Sequence, residues 1–322
     1  MIRFLIRRIL LGIFVMWMVT VMVFGIFFVG PGPGDVARRI AGKDATPQTV
    51  QLIMERLHLN QSLFVQYWDF VKQLVWHHNL GYSYYHQEPV STVLKAAFPI
   101  TFSLAIGSAV IWLVLGVFSG VVSAVRRGSI WDRLATILAL FFYSMPTFVL
   151  GLLLLYAFSY QFALHGIHLF PGQGYVYFTA SPVKWFESLV LPWITLALIS
   201  AATYTRLTRG SLLEVLGEDY IRTARSKGLT ERRVIYRHGL RSALTPVVSQ
   251  FGIDVGTLLG GAIITEQVFG MPGLGYTAVN SIEQQDLPVI IGIVIIATAA
   301  VVVANIVVDL LYAVLDPRVR LH

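Results

Sequence analysis

Six stretches of the 322-residue chain, roughly residues 9–29, 100–125, 134–158, 188–205, 244–266 and 288–313, are almost continuously apolar. A helix of about 20 such residues crosses the hydrocarbon core of a bilayer. Each stretch is therefore read as a transmembrane helix, and the expected fold class is an all-α integral membrane protein. Composition agrees: 56% of residues are hydrophobic and 13% charged, with a mean hydropathy of +0.70, outside the range of soluble domains. The first stretch is longer than the apolar core of a cleaved signal peptide, and "VGPGPGD" after it has no small-x-small cleavage site. It is read as an uncleaved first span.

An even number of spans puts both termini on one side of the membrane, and the basic residues say which side. Arg3, Arg7 and Arg8 precede the first span; Arg126, Arg127 and Arg133 flank the loop between spans two and three. Nine Lys or Arg lie between spans four and five or on the approach to that loop, and Arg318 and Arg320 lie in the tail. The opposite side carries seven, six of them in one long loop where the charge bias counts for little. Both termini and the loop 206–243 are accordingly cytoplasmic. The same bias accounts for the net charge of +7 without nucleic acid, for which no binding motif is present. The absence of cysteine excludes disulfides and thiolate chemistry.

Three regions follow: residues 1–30 with the first span, an extracytoplasmic loop 31–99 long enough to fold, and a five-helix core 100–322. Within the loop, Thr46 as N-cap and Pro47 at the first helical position open a helix with Val50, Ile53, Met54 and Leu57 at helical spacing. A second helix over 63–76 places Phe64, Tyr67, Val71, Leu74 and Val75 on one face. Both are expected to cap the outer mouth of the spans. His77, His78 and His86, and His165 and His168, cluster outside the membrane but lack acidic partners at ligand spacing, so they are read as surface or packing residues. The sequon at Asn60 is too short a pattern to carry weight.

Within the membrane, Gly252, Gly256 and Gly260 recur every four residues and form a stripe for close helix approach. Asp254 in span five, and Asn305 and Asp309 in span six, are costly at that depth and face either a bundle interior or an aqueous path. For Asp309 the alternative is a bond to a neighbouring helix near the inner interface. Pro146 and Pro192 are positioned to kink their spans.

The polar insert "EDYIRTARSKGLTERRVIYRHGLRSALTP", 218–246, holds seven Lys or Arg. Glu218 and Asp219 suit the positive end of a helix, and no breaker follows until Gly228, which fits a left-handed C′ residue. Thr230 and Glu231 then read as the cap and first turn of the next helix. Two short helices thus meet at a glycine corner, with Ala224 and Gly228 as small residues on one side of it that leave room for another protein's surface to approach. A merely solvated basic loop needs no such order, so the segment is read as a docking element.

This corner resembles the EAA loop of ATP-binding-cassette importer permeases. The six positions before Gly228 read "RTARSK", with Thr223 and Ala224 at the two alanine positions and Arg222 at the glutamate position. That replacement, within "DYIRTARSKGL", is similar to the peptide and nickel permease branch. So is "RHGLRSALTP", although the generic motif's later proline arrives only at Pro246. The blocks "MIRFLIRRIL", "NLGYSYYHQEPV", "GGAIITEQVFGMPGLG" (Gly260 to Gly275, including Glu266), "QQDLPVI" and "VDLLYAVLDPR" are similar to the same branch, with His78 and Asn79 in place of its usual Gly-Asp. The resemblance implies a type I importer fold in a prokaryotic plasma membrane. It implies a second homologous permease, two ATPase subunits or domains and an extracytoplasmic binding protein as partners. It also implies a coupling helix, drawn from Asp219, Tyr220, Arg222, Thr223, Ala224, Lys227, Gly228 and Leu229, in a groove of an ATPase.

The chain has no phosphate-binding loop of its own, so ATP and Mg are expected at the partner subunits, with no cofactor on this chain. A rival reading, an ion-coupled secondary carrier or channel, calls for internal repeats with matched broken helices, and none is found. An intramembrane enzyme would need more paired polar groups than Asp254 and Asp309. Relatives of this pattern carry dipeptides, oligopeptides, glutathione, nickel chelates or haem, a choice made largely by the binding protein.

Overall fold

The structure, a computed structural model, describes residues 2–29, 32–41, 46–56, 58–167 and 170–315. Leu57, His168, Arg318 and Arg320 lie outside the described residues. The chain is almost entirely helical. Helix α1 (Ile2–Phe24) runs on as a π-turn, Gly25–Val29, and is followed by α2 (Pro33–Ala41), α3 (Pro47–Arg56) and α4 (Leu63–Trp76). A two-stranded hairpin, β1 (Tyr82–Ser83) and β2 (Glu88–Pro89), leads into the 36-residue α5 (Val90–Val125). Next come α6 (Ile130–Tyr143), α7 (Thr147–Leu154), a π-turn and α8 (Gln161–Leu164), then the 35-residue α9 (Pro182–Leu216). The cytoplasmic segment forms α10 (Asp219–Ser226), α11 (Glu231–Arg233), a π-turn over Val234–Gly239 and α12 (Leu240–Ala243). The chain finishes with α13 (Thr245–Leu259), α14 (Ile263–Val268), α15 (Leu274–Glu283) and α16 (Leu287–Leu315).

Among the described residues five helical stretches are long and apolar enough to cross a membrane: Ile6–Val29, Val90–Val125, Thr147–Leu164, Pro182–Leu216 and Leu287–Leu310. They account for five of the six expected spans. The third is divided, because Pro146 ends the hydrogen-bonded run of α6 and serves as N-cap of α7. Pro192, by contrast, sits inside an unbroken α9. The fifth, expected as one helix over 244–266, is instead the 15-residue α13, about 22 Å long at 1.5 Å per residue. Gly261 breaks it: its φ of +122° suits glycine alone, and an added Cβ would lie 2.9 Å from the backbone of Gly275.

Packing at the centre is between α5 and α9, and it rests on missing side chains. A methyl group on Gly116 would come within 2.4 Å of Tyr204 Cβ, and one on Gly120 within 2.6 Å of Thr208 Cβ. In lipid, where apolar surfaces gain little by leaving the solvent, such close backbone approach supplies the attraction between helices. The anticipated stripe on span five works the same way in part. Gly252 abuts Val308 and Gly256 faces Val301 of α16, whereas Gly260 ends α13 and meets only its own Thr257 carbonyl.

The outer helices form as expected, with Thr46 Oγ1 accepting from the Thr49 amide at 3.2 Å and α4 covering Leu63–Trp76. Their placement differs. Val36, Ile40, Ile53, Leu59 and their neighbours pack with Val23 of α1 and with Leu287, Ile291 and Ile295 of α16. They therefore cap the outer ends of the first and sixth spans rather than the centre of the bundle. The face expected of α4 is also corrected: Tyr67, Phe70 and Leu74 turn inward, while Phe64 and Val75 are exposed. The helix has two apolar faces, and periodicity alone does not rank them. Beside it, Ser83 Oγ donates to buried Asp286, and Gly81 lies against Pro288. Two separate motif blocks, "NLGYSYYHQEPV" and "QQDLPVI", are thereby joined.

Where the related branch has glycine, His78 adopts a φ of +47°, a region costly for residues with a Cβ. Asn79 Oδ1 accepts from the Gly81 amide at 2.9 Å, a bond an aspartate at this position could also accept. His78→Gly is expected to stabilise the protein by about 0.5–1 kcal/mol, read as a rise in melting temperature of the detergent-solubilised protein.

Candidate functional site

The cytoplasmic corner is built around a small apolar knot. Ile221 and Ala224 of α10 and Val234 are buried together, with Val215 and Leu216 from the end of α9 and Leu229 packed on them. Gly228 turns the chain at φ +77°, as its position predicts. Thr230 is the N-cap residue of α11 by backbone conformation, but its side chain makes no capping bond. Glu231 instead reaches back across the corner to Arg225, with contacts of 2.7 and 3.1 Å. The Arg225 guanidinium holds the Glu231 carboxyl below its ordinary value. A depressed folded-state value means that the bridge's contribution is complete above the usual carboxylate range and is lost as pH falls through the lowered one.

The knot also corrects one expectation. Ala224 is only 9% exposed and faces its own chain, so its small size serves the fold of the corner rather than an external surface. The outward face is made by Asp219, Tyr220, Arg222, Thr223, Lys227 and Gly228, all exposed, with Leu229 half-buried. Nothing lies within 4 Å of a Cβ placed on Gly228.

Corner and membrane helices are mechanically continuous. Leu212 and Leu216 near the end of α9 pack with Ala243 of α12 and with Val121 and Ala124 of α5. A second tie, not foreseen from sequence, lies at the same end of the bundle. Arg209 of α9 donates twice to Asp132 of α6, at 2.8 and 3.1 Å, and the same carboxylate accepts from Ser123 Oγ and, at 2.9 Å, from the Gly128 amide. One buried carboxylate thus clasps α5, α6, their connecting loop and α9. Residues 77 positions apart leave no local pattern from which this pairing could be read.

The intramembrane acidic residues divide by their partners. Asp309 of α16 is bound at 2.9 Å by Arg8 of α1, a contact that joins the two helices. Asp254, half-buried, accepts from Tyr204 Oη and from Gln250 Nε2, each at 2.8 Å, and so joins α9 to α13. Glu266 is fully buried; it accepts from Thr101 Oγ1 and from the Tyr276 amide, both at 2.7 Å. It stands in for the missing cap of α15, whose preceding residue is glycine. Among the described residues no three His, Asp or Glu side chains converge to hold a metal ion.

The comparisons with known proteins match this arrangement. The family model for the binding-protein-dependent transport system inner membrane component covers residues 113–321, and the model of its N-terminal region covers 1–105. The chain belongs to this family. The glutathione transport system permease GsiC of Escherichia coli O6:H1 is 38% identical over 99% of each chain. A candidate peptide transport system permease of Brucella abortus is 41% identical over 89% of this chain and 90% of its own. Among solved structures, the MetNI methionine ABC transporter in inward-facing form superposes with a TM-score of 0.52 at 20% identity, covering 70% of this chain and 97% of that one. At that identity the likeness establishes the fold, the type I importer permease. The chain is thus a multi-pass inner-membrane permease of an ATP-driven, binding-protein-dependent importer. The ion-coupled carrier or channel finds no support in these matches.

Proposed function

We propose that this permease pairs with a second homologous permease, that two ATP-binding-cassette subunits or domains dock beneath the pair, and that a binding protein delivers a short peptide or glutathione from outside. ATP and Mg are held by the docked subunits, and this chain performs no hydrolysis. The observation that carries the reading is the corner 219–229: a rigid knot whose outer face is polar and exposed and whose inner face is packed on α9. An ATPase seated on Tyr220, Arg222, Thr223 and Lys227 moves that knot as one body, since the Arg225–Glu231 bridge and the Ile221, Ala224 and Val234 contacts resist its unfolding. The displacement reaches α9 through Leu216, and reaches α13 through the π-turn and α12. Helix α9 is in turn locked to α5 by Gly116 and Gly120 and to α6 by the Arg209–Asp132 clasp. Asp254 of α13, held by Tyr204 of α9, senses the relative movement of the two helices and lines the path in this reading. The substrate class rests on relatives similar along nearly the whole chain.

Reconstitution of the complete transporter in proteoliposomes is expected to give uptake of radiolabelled glutathione or a dipeptide only with both ATP and the binding protein present. Uptake by this chain alone, without nucleotide, would overturn the reading.

A further inference from the structure

We propose that α4 lies in the outer interface of the bilayer, with the face carrying Phe64, Trp68, Val75 and Trp76 embedded in lipid. Two independent observations place it there. The first is depth. Tyr67 Oη is 3.0 Å from Thr20 Oγ1 of α1, the Phe24 ring meets Tyr67 edge-on at 5.3 Å, and Phe28 and Phe70 are 6.3 Å apart. These α1 residues belong to the membrane-crossing stretch Ile6–Val29. At 1.5 Å per residue, Phe24 lies about 7 Å inside the outer end of that stretch and Thr20 about 13 Å inside it. A helix docked there is at the boundary of headgroups and acyl chains, where in-plane amphipathic helices bury their apolar faces by about 5–10 Å.

The second observation is the face turned away from α1. Phe64, Trp68, Val75 and Trp76 are 77%, 54%, 54% and 66% exposed. At 100° per residue, positions 64, 68 and 75 form one stripe, and 76 widens the same outward face to about 120°. Two tryptophans on such a stripe match the preference of indole rings for the membrane interface. Lys72, exposed on the same side, has a stem long enough to lie along the apolar stripe while its ammonium reaches lipid phosphates. On α1 itself, Val21, Met22 and Ile26, at the depth of this contact, are also exposed and apolar. An exposed apolar surface on a membrane-crossing helix at that depth faces lipid, which identifies lipid as the occupant of the α4 face beside it.

The chain has no cysteine, so single cysteines report on single sites. Phe64→Cys, Trp68→Cys and Val75→Cys, spin-labelled in the assembled transporter in lipid vesicles, are compared with Trp17→Cys as a membrane reference and Glu55→Cys as an aqueous one. The expected result is a ratio of relaxation by oxygen to relaxation by a water-soluble nickel chelate that lies below that of Trp17→Cys, which sits near the bilayer centre, and several-fold above that of Glu55→Cys. A ratio close to that of Glu55→Cys would overturn the proposal by placing α4 in water. Protection from both reagents would overturn it in favour of a protein partner.

Discussion

Ala224→Glu in the assembled transporter is expected to leave membrane insertion intact and to lower substrate-stimulated ATP turnover at least about tenfold, the equivalent of ~1.4 kcal/mol in an activation barrier. The new carboxylate would replace a methyl group packed on Ile221 and Val234, and a charge buried among apolar side chains is strongly disfavoured. The knot would open and the corner would cease to act as one body. The surface variant Tyr220→Ala with Arg222→Glu separates docking from folding. Both side chains are exposed, and the Arg222–Asp219 contact at 3.4 Å contributes little. The corner should remain folded in that variant while coupling is still lost. Stimulated turnover at the parental level in both variants would exclude the corner from energy transfer.

Gly120→Leu should act on the bundle itself. The first carbon of the new side chain would overlap Thr208 Cβ and stand 2.8 Å from the Thr205 carbonyl oxygen. Helices α5 and α9 must separate along their most intimate contact, at a cost of roughly 3 kcal/mol. A melting temperature lower by several degrees and a reduced yield of monodisperse protein are expected. Gly210→Leu is the matched control, because a Cβ there meets nothing within 4 Å. Equal behaviour of the two variants would show that the α5–α9 contact is not what holds the core.

What the sequence revealed and what it concealed follow the range of each interaction. Spans one, two, four and six, the start of α3, the full length of α4 and the turn at Gly228 were all legible, since each depends on residues within a turn or two. The glycine stripe of α13 is legible from its four-residue spacing, whereas the tighter α5 contact at Gly116 and Gly120 is hidden within a run as apolar as its lipid surroundings. Gly260 and Gly261 were read as part of a helix, because the approach of Gly275 that requires the break comes from later in the chain. Ala224 looks outward if small size alone is weighed, whereas its spacing of three from Ile221 puts both on one buried face. The Arg209–Asp132 and Arg8–Asp309 pairs are long-range, and the positive-inside rule already accounts for those arginines, so the sequence points to no partner for them.

The most direct test of the central claim uses Thr223→Cys, an exposed position on the outer face of the corner in a chain otherwise free of cysteine. With a photoactivatable crosslinker on that thiol, illumination of the complete transporter should yield one adduct, with the ATPase subunit, whose amount changes when ATP is added. An adduct only with lipid, or none at all, would contradict the account.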